Sequence, residues 1–467
     1  MAKIGTIYRN RKKNSLKRLH IPLFLFFYLR FIRIFASENL FNYTKAMNRK
    51  WFVSALLTLV VGVAQAQVQS TTALEGAWSG KLNVMGMALS LVLHLEQADG
   101  YVIVSFDSPD QGVKGIPCFK EFLSNDSVAV KVEAINATYR AGLKGDQLVG
   151  TFSQMGMSFP LVLKKGEEQF RRPQNPTTPY PYKTEEVTFT NDTDGATLAG
   201  TLTYPQGYET MEQGTVPVVL MVTGSGPENR DEEIFEHKPF LVIADYLARN
   251  GIATLRYDDR GVGASVGGDV KSATTEDFMR DAAAGIAFLR RQPAFGKVGC
   301  LGHSEGGAIA FMLAARQMVD FIVSLAGPGV KGDTLLVAQS NRILQLSGMP
   351  AQMTTHLYRQ QPAVQQSAWL RWFMDYDPSD DIRRTTCPVF ALNGSRDVQV
   401  LSTQNIPAIR QLLPSSKDHI VREYPALNHL FQHCTTGLPN EYRKIEETIS
   451  PEVLSNLAAW IKKVTTL

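Results

Sequence analysis

A serine held between glycines, Gly302-His303-Ser304-Glu305-Gly306, is the most chemically pointed stretch of this chain. A serine hydroxyl is a poor nucleophile until a base removes its proton. Glycines two residues to either side let a tight, strained turn pack closely and push the central side chain out. Ahead of it, Val298-Gly299-Cys300-Leu301 reads as a buried strand; behind it, Gly307-Ala308-Ile309-Ala310-Phe311-Met312-Leu313 reads as a helix. That context makes Ser304 the apex of a strand–turn–helix nucleophile elbow, its hydroxyl at the carboxyl end of a sheet and at a helix N-terminus.

The base is expected downstream, on the loop after the last strand. His429, in Ala426-Leu427-Asn428-His429-Leu430-Phe431, stands there; its rival His433 lies farther from the strand end. His303, beside the serine, points elsewhere by strand alternation. The imidazole needs a carboxylate to hold its tautomer. Asp397 follows a strand at 389–392 through Asn393-Gly394-Ser395-Arg396, whereas Asp375, Asp377, Asp380 and Asp381 precede that strand and read as turn or cap residues. A tetrahedral oxyanion needs two backbone donors. The N–H of Glu305 is one. The other is expected from Thr223-Gly224-Ser225-Gly226-Pro227, with Ser225 preferred and Gly226 as the alternative. The order serine, aspartate, histidine separates α/β-hydrolases from other triad enzymes.

These residues need a scaffold, and the pattern from 185 onward supplies one. Two short alternating runs, 187–189 and 198–202, read as a hairpin. Val216-Pro217-Val218-Val219-Leu220-Met221-Val222 is a continuous apolar run of the buried parallel kind. Helices are expected at 235–250, 275–291 and 451–464 and from 305, and strands at 253–257, 297–301, 321–325, 388–392 and 419–424. That alternation predicts a mostly parallel, doubly wound sheet. Residues 331–377 interrupt it with Leu, Met, Gln and Trp at helical spacing, and read as an inserted helical cap over the site.

Residues 67–170 are strand-like throughout, with about eight strands and no helix, which predicts a small antiparallel barrel or sandwich. Gly80 to Leu93 and Gly150 to Leu163 echo each other at an offset of 70, and both contain Met-Gly-Met (Met85 to Met87 and Met155 to Met157). Two such turns would form a methionine rim at one barrel end, expected to lie near the catalytic domain rather than in open water. Residues 171–184, with Pro173, Pro176, Pro179 and Pro181, read as a semi-rigid linker.

The net charge of +4 is carried by the leader. Residues 1–66 hold 12 Lys or Arg and a single acid, Glu38; the remainder has 36 basic and 43 acidic side chains, a net −7. An acidic remainder gives no hint of nucleic-acid binding. Within the leader, residues 47–66 have the form of a signal peptide: basic Met47-Asn48-Arg49-Lys50, an apolar run at 51–63 too short to span a bilayer comfortably, and Ala64-Gln65-Ala66 as a cleavage site. Export to the periplasm or beyond is expected, with no stable membrane insertion once the signal is removed. Of the four cysteines, Cys300 and Cys387 sit in apolar runs and read as buried thiols, while Cys118 and Cys434 are candidates for pairing in an exported protein. Their spacing suits no metal.

Gly224-Ser225-Gly226-Pro227, Tyr257-Asp258-Asp259-Arg260-Gly261-Val262-Gly263-Ala264-Ser265, Gly302 to Gly307, Gly394 to Asp397 with Gln399-Val400, and Asn428-His429-Leu430-Phe431-Gln432 occur together and in that order. The set resembles the bacterial α/β-hydrolase esterases with a serine aminopeptidase-like catalytic domain, over residues 185–467. The resemblance implies hydrolysis of small carboxylic esters of short acyl chains through a Ser304 acyl-enzyme, with no metal and no organic cofactor. Asp258 and Arg260 are read as a structural ion pair beside the site. Two other functions compete. Peptide or amide cleavage by the same triad would need an acid for the substrate's amino terminus, for which Glu228, Glu232 and Glu233 are candidates. A ligand-binding barrel carrying a vestigial hydrolase is the other.

Overall fold

The computed structural model describes residues 73–465 apart from 85–86, 99–100, 112, 168–169 and 350–351. The leader and its expected signal peptide lie outside the described residues. Among those described, no helix is long and apolar enough to cross a membrane.

The N-terminal unit is a single sheet of nine strands: β1 (Gly76–Val84), β2 (Met87–Ala98), β3 (Tyr101–Ser108), β4 (Val113–Pro117), β5 (Phe119–Leu123), β6 (Ser127–Val132), β7 (Ala137–Lys144), β8 (Gln147–Gln154) and β9 (Met157–Lys165). Their order is β4-β3-β2-β1-β9-β8-β7-β6-β5, every neighbour antiparallel, and the sheet curls into a nearly closed barrel. Alternation fills its interior: Leu91, Leu93 and Leu95 of β2 join Trp78, Phe106, Val130, Tyr139, Leu148, Leu161 and Leu163 in one core. The sheet has nine strands against the expected eight or so; β4 ends and β5 begins at either side of Cys118, on opposite edges of the sheet.

The echoed segments are equivalent hairpins, with Val84 opposite Met87 and Gln154 opposite Met157. The second closes through Met155 and Gly156, both at positive φ. Met155 is 60% exposed, so this turn faces water, contrary to the expected burial of the rim. Met85 and the Met87 side chain lie outside the described residues. The barrel meets the C-terminal unit elsewhere: a 3-10 turn at Pro109–Gln111 lies against another at Pro439–Lys444, and Lys114 pairs with Glu236.

The C-terminal sheet runs β10 (Thr184–Asn191), β11 (Ala196–Thr203), β13 (Ala253–Tyr257), β12 (Val216–Val222), β15 (Phe295–His303), β16 (Phe321–Leu325), β17 (Val389–Gly394) and β18 (Ile420–Tyr424), while the two-residue β14 (Val266–Gly267) pairs with β11. The first two pairings along this order are antiparallel and the rest parallel. This is the mostly parallel, doubly wound sheet that the sequence predicts. Helices α1 (Pro239–Arg249), α2 (Thr275–Arg290), α3 (Glu305–Ala315), α4 (Gly332–Leu346), α5 (Thr355–Arg359), α6 (Pro362–Gln366), α7 (Ala368–Asp375), α8 (Ser379–Arg384), α9 (Ser402–Leu412) and α10 (Pro451–Thr465) follow. α2 starts at a reciprocal cap between Thr274 and Asp277. α1 begins four residues later than expected, because Phe235 and Glu236 take positive φ in a turn that returns His237 to Ile234. Two apolar layers flank the sheet, one holding Leu220, Ile286, Cys300 and Phe311, the other Val219, Phe240, Val323 and Trp460. α4 to α7 occupy the expected cap, with their own small core around Leu335, Tyr358, Leu370 and Met374.

Candidate active site

β15 delivers Ser304 to its turn. The serine sits at φ 54°, ψ −117°, a conformation that non-glycine residues avoid. Its N–H donates to Leu325 O at 2.8 Å, and its carbonyl accepts from Gly307 N at 2.9 Å. A Cβ on Gly302 would stand 1.8 Å from Gly306 O, and one on Gly306 2.1 Å from Val222 O. Only glycine permits that crossing of strand and helix, and the crossing holds the strain at Ser304 in place.

His429 is buried, and its Nδ1 lies 2.7 Å from Asp397 Oδ2. Asp397 Oδ1 accepts from the backbone N–H groups of Gln399 at 2.7 Å and Val400 at 2.9 Å. A carboxylate so surrounded by donors is an acceptor on both oxygens, so Nδ1 of His429 carries the proton and Nε2 is left as the basic nitrogen. The loop behind the ring is fixed by Asn428, whose Oδ1 accepts from Leu430 N and Gln432 N and whose Nδ2 donates to Gln432 Oε1.

The other candidates are engaged elsewhere. His433 is exposed and pairs with Glu447 at 2.8 Å. Asp375 pairs with Arg359, Asp380 with Arg383 and Asp381 with Arg384, while Asp377 accepts from Ser379 N. Asp258 and Arg260 are ion-paired, though not to each other: Asp258 takes both ends of Arg230, and Arg260 takes both oxygens of Asp281. All four cysteines are free thiols, Cys118 and Cys434 included.

On the loop after β12, Gly224 N donates to Glu232 Oε1 at 3.0 Å, so its N–H is taken. Ser225 and Gly226 follow it, with Gly226 at φ 130°. Gly224 lies close to Ser304, a Cβ there falling 3.4 Å from Ser304 Cβ. The N–H of Glu305, first residue of α3, has no place in the helix's own ladder.

Three features had no local signal in the sequence. Glu232, at φ 51°, is buried against His303, Oε1 to Nδ1 2.7 Å, and His303 Nε2 donates to His429 O at 2.9 Å. Glu305 turns its carboxyl into the protein, where Trp369 Nε1 of the cap donates to it at 2.7 Å; burial pushes its pKa up to about 7. Asp259 lies half-buried beneath the loop, accepting from Thr223 Oγ1 and Glu228 N, and desolvation likewise holds its pKa well above the usual carboxylate range. Each pair joins residues tens of positions apart, beyond the reach of any spacing rule.

Residues 237–421 match the family profile described as "Serine aminopeptidase, S33". The chain is 29% identical to the Esterase EstD of Thermotoga maritima over 280 residues, covering 57% of this chain and 66% of that relative, just under two thirds of its length. Among solved structures, Est1E from Butyrivibrio proteoclasticus is 15% identical with a TM-score of 0.41, covering 60% of this chain and 98% of that one. The α/β hydrolase GrgF from Penicillium sp. sh18 is 17% identical with a TM-score of 0.44, covering 61% and 100%.

Proposed function

We propose that this chain, which carries an α/β-hydrolase domain of the serine aminopeptidase type, hydrolyses small carboxylic esters through a covalent Ser304 intermediate. The observation that carries the reading is the buried His429–Asp397 pair on loops at the same carboxyl end of the sheet that presents Ser304 on its strained elbow. Ser304 Oγ attacks the ester carbonyl while His429 Nε2 takes its proton. The N–H groups of Glu305 and of Ser225 or Gly226 hold the oxyanion. The intermediate collapses as His429 returns the proton to the departing alcohol. Water, activated by the same imidazole, then releases the acid. No step calls on a metal or an organic cofactor.

The three acids that an amide-cleaving enzyme could use to hold a substrate's ammonium group are poorly suited to it. Glu232 is spent on His303 and Gly224, and Glu233 faces Lys238. Glu228 is raised to about 8 by burial and by Glu232, so it is largely protonated at neutral pH. An ester, which leaves as a neutral alcohol, needs no such partner. We assign 67–170 to a β-domain, 171–184 to a linker and 185–467 to the catalytic domain with its cap at 331–377, and we place the mature protein in the periplasm or outside the cell.

Turnover of p-nitrophenyl butyrate, together with fluorophosphonate labelling, tests the reading. Ser304→Ala is expected to lose labelling and about three or more orders of magnitude in kcat with the fold intact. Retained turnover in that variant would overturn the mechanism. Faster cleavage of aminoacyl amides than of matched esters would move the activity to the peptidase class.

A further inference from the structure

The pair formed by Glu232 and His303 is costly. Both side chains are 8% exposed, and the neighbouring wall is apolar, made by Phe240, Ile243, Leu325 and Phe431. Removing two charges from water is costly before any attraction is counted, and apolar residues often serve a core as well. Glu232 also holds a left-handed backbone conformation. An arrangement this unfavourable is explained by what it connects.

Its geometry is a bridge. Glu232 Oε1 accepts from Gly224 N at 3.0 Å and from His303 Nδ1 at 2.7 Å. His303 Nε2 donates to the backbone carbonyl of His429 at 2.9 Å. A carbonyl oxygen only accepts, so Nε2 must carry a hydrogen; Nδ1 faces an oxygen that already accepts from Gly224. Both ring nitrogens therefore donate, and the pair is imidazolium with carboxylate. Independently, Glu232 holds the His303 imidazole in its protonated form, raising its pKa to about 9 against the opposing effect of burial. One end of the bridge is the loop that offers Ser225 and Gly226. The other is the residue proposed as the base, whose ring centroid lies 4.7 Å from that of His303.

We infer that Glu232 and His303 are positioning residues: a buried ion pair that sets the distance between the oxyanion loop and the His429 loop across the nucleophile. The inference rests on the triad reading above and extends it. Neither residue touches the reacting atoms. They act by holding Gly224 and the His429 backbone, where a shift of about 1 Å would cost on the order of 100-fold in rate.

Glu232→Gln tests this with almost no change of shape. A neutral amide no longer supports the imidazolium. The neutral ring then has a single N–H for two acceptors, so one end of the bridge must open. For p-nitrophenyl butyrate, kcat per titrated site is expected to fall by about 10- to 100-fold, with KM within about three-fold of wild type. Fluorophosphonate should label more slowly but reach the same final stoichiometry. A wild-type kcat per titrated site with only a lowered Tm would mean that the pair merely stabilises the fold, and the inference would fail. If that variant does not fold, His303→Gln, whose single amide nitrogen replaces two donating ring nitrogens, carries the same readout. In a double-mutant cycle, a double variant no slower than the slower single supports one shared bridge; additive losses overturn it. Wild-type protein that Ser304-directed fluorophosphonate fails to label would sink the ester-hydrolase reading itself. Labelled wild type with unaffected variants would sink only the bridge.

Discussion

At Asp397 three donors converge on one carboxylate, the Nδ1 of His429 and two backbone N–H groups. An amide at this position brings its own N–H₂ against donors, so it must turn one N–H₂ toward a backbone N–H or toward the imidazole. If toward the imidazole, it stabilises the tautomer with the proton on Nε2, which cannot accept from serine. Asp397→Asn is therefore expected to lower kcat by about 10³- to 10⁴-fold, read in steady-state esterase assays, while Asp375→Asn, at an exposed pair with Arg359, stays near wild type. At this scale Ser304, Asp397 and His429 were legible because each stands at a defined place relative to a strand end. Glu232 was legible only as one of three nearby acids. Its partner comes from 71 residues away, and nothing about its neighbours in sequence marks it as buried.

The elements were legible where a local signal ended them. Thr274 and Asp277 begin α2 where a capping pair predicts a helix start, and β16 spans the same five residues, four of them apolar, that read as a strand. They were less so where tertiary packing chose the boundary, as at Phe235 and Glu236, whose positive φ delays α1. The cap shows what an element adds to the site. α7 places Trp369 so that its indole N–H meets Glu305, the residue beside Ser304. Trp369→Phe keeps an aromatic ring beside Phe373 and removes the donor to Glu305. Leaving a buried carboxyl short of a partner is expected to cost about 1–3 kcal/mol in urea unfolding. Because the same helix covers the site, this variant should also narrow the rate advantage of butyryl over succinyl esters that an apolar cap predicts. An unchanged ratio would separate the cap from acyl selection.

For the molecule as a whole, several buried groups keep protons that the unfolded chain would lose. Glu305 is raised to about 7, Glu228 to about 8 and His303 to about 9. For each the native state binds more protons, so stability falls as pH rises through the interval between the unfolded and folded values. His237 acts the other way: burial lowers it to about 4, so it adds stability as pH rises from 4 toward its ordinary 6.5. Above 6.5 that compensation is complete. The urea midpoint is expected to decline from about pH 6.5 to 9, and Glu228→Gln, with no carboxyl to ionise, should flatten the portion below pH 8. A midpoint that rises over this range would refute the assignment. The two-part organisation was visible from the change of periodicity near residue 185, but the way the parts join was not. Arg172 donates to the carbonyls of Phe235, Arg443 and Ile445, and Gln174 bonds Thr448 and Ile449, so a stretch read as a spacer is stitched into the loops behind His429. That stretch can therefore not be exchanged freely for a flexible Gly-Ser tether: recombining the C-terminal α/β domain with a different accessory barrel would succeed only if the splice were made upstream of Arg172, leaving Arg172 and Gln174 with that domain.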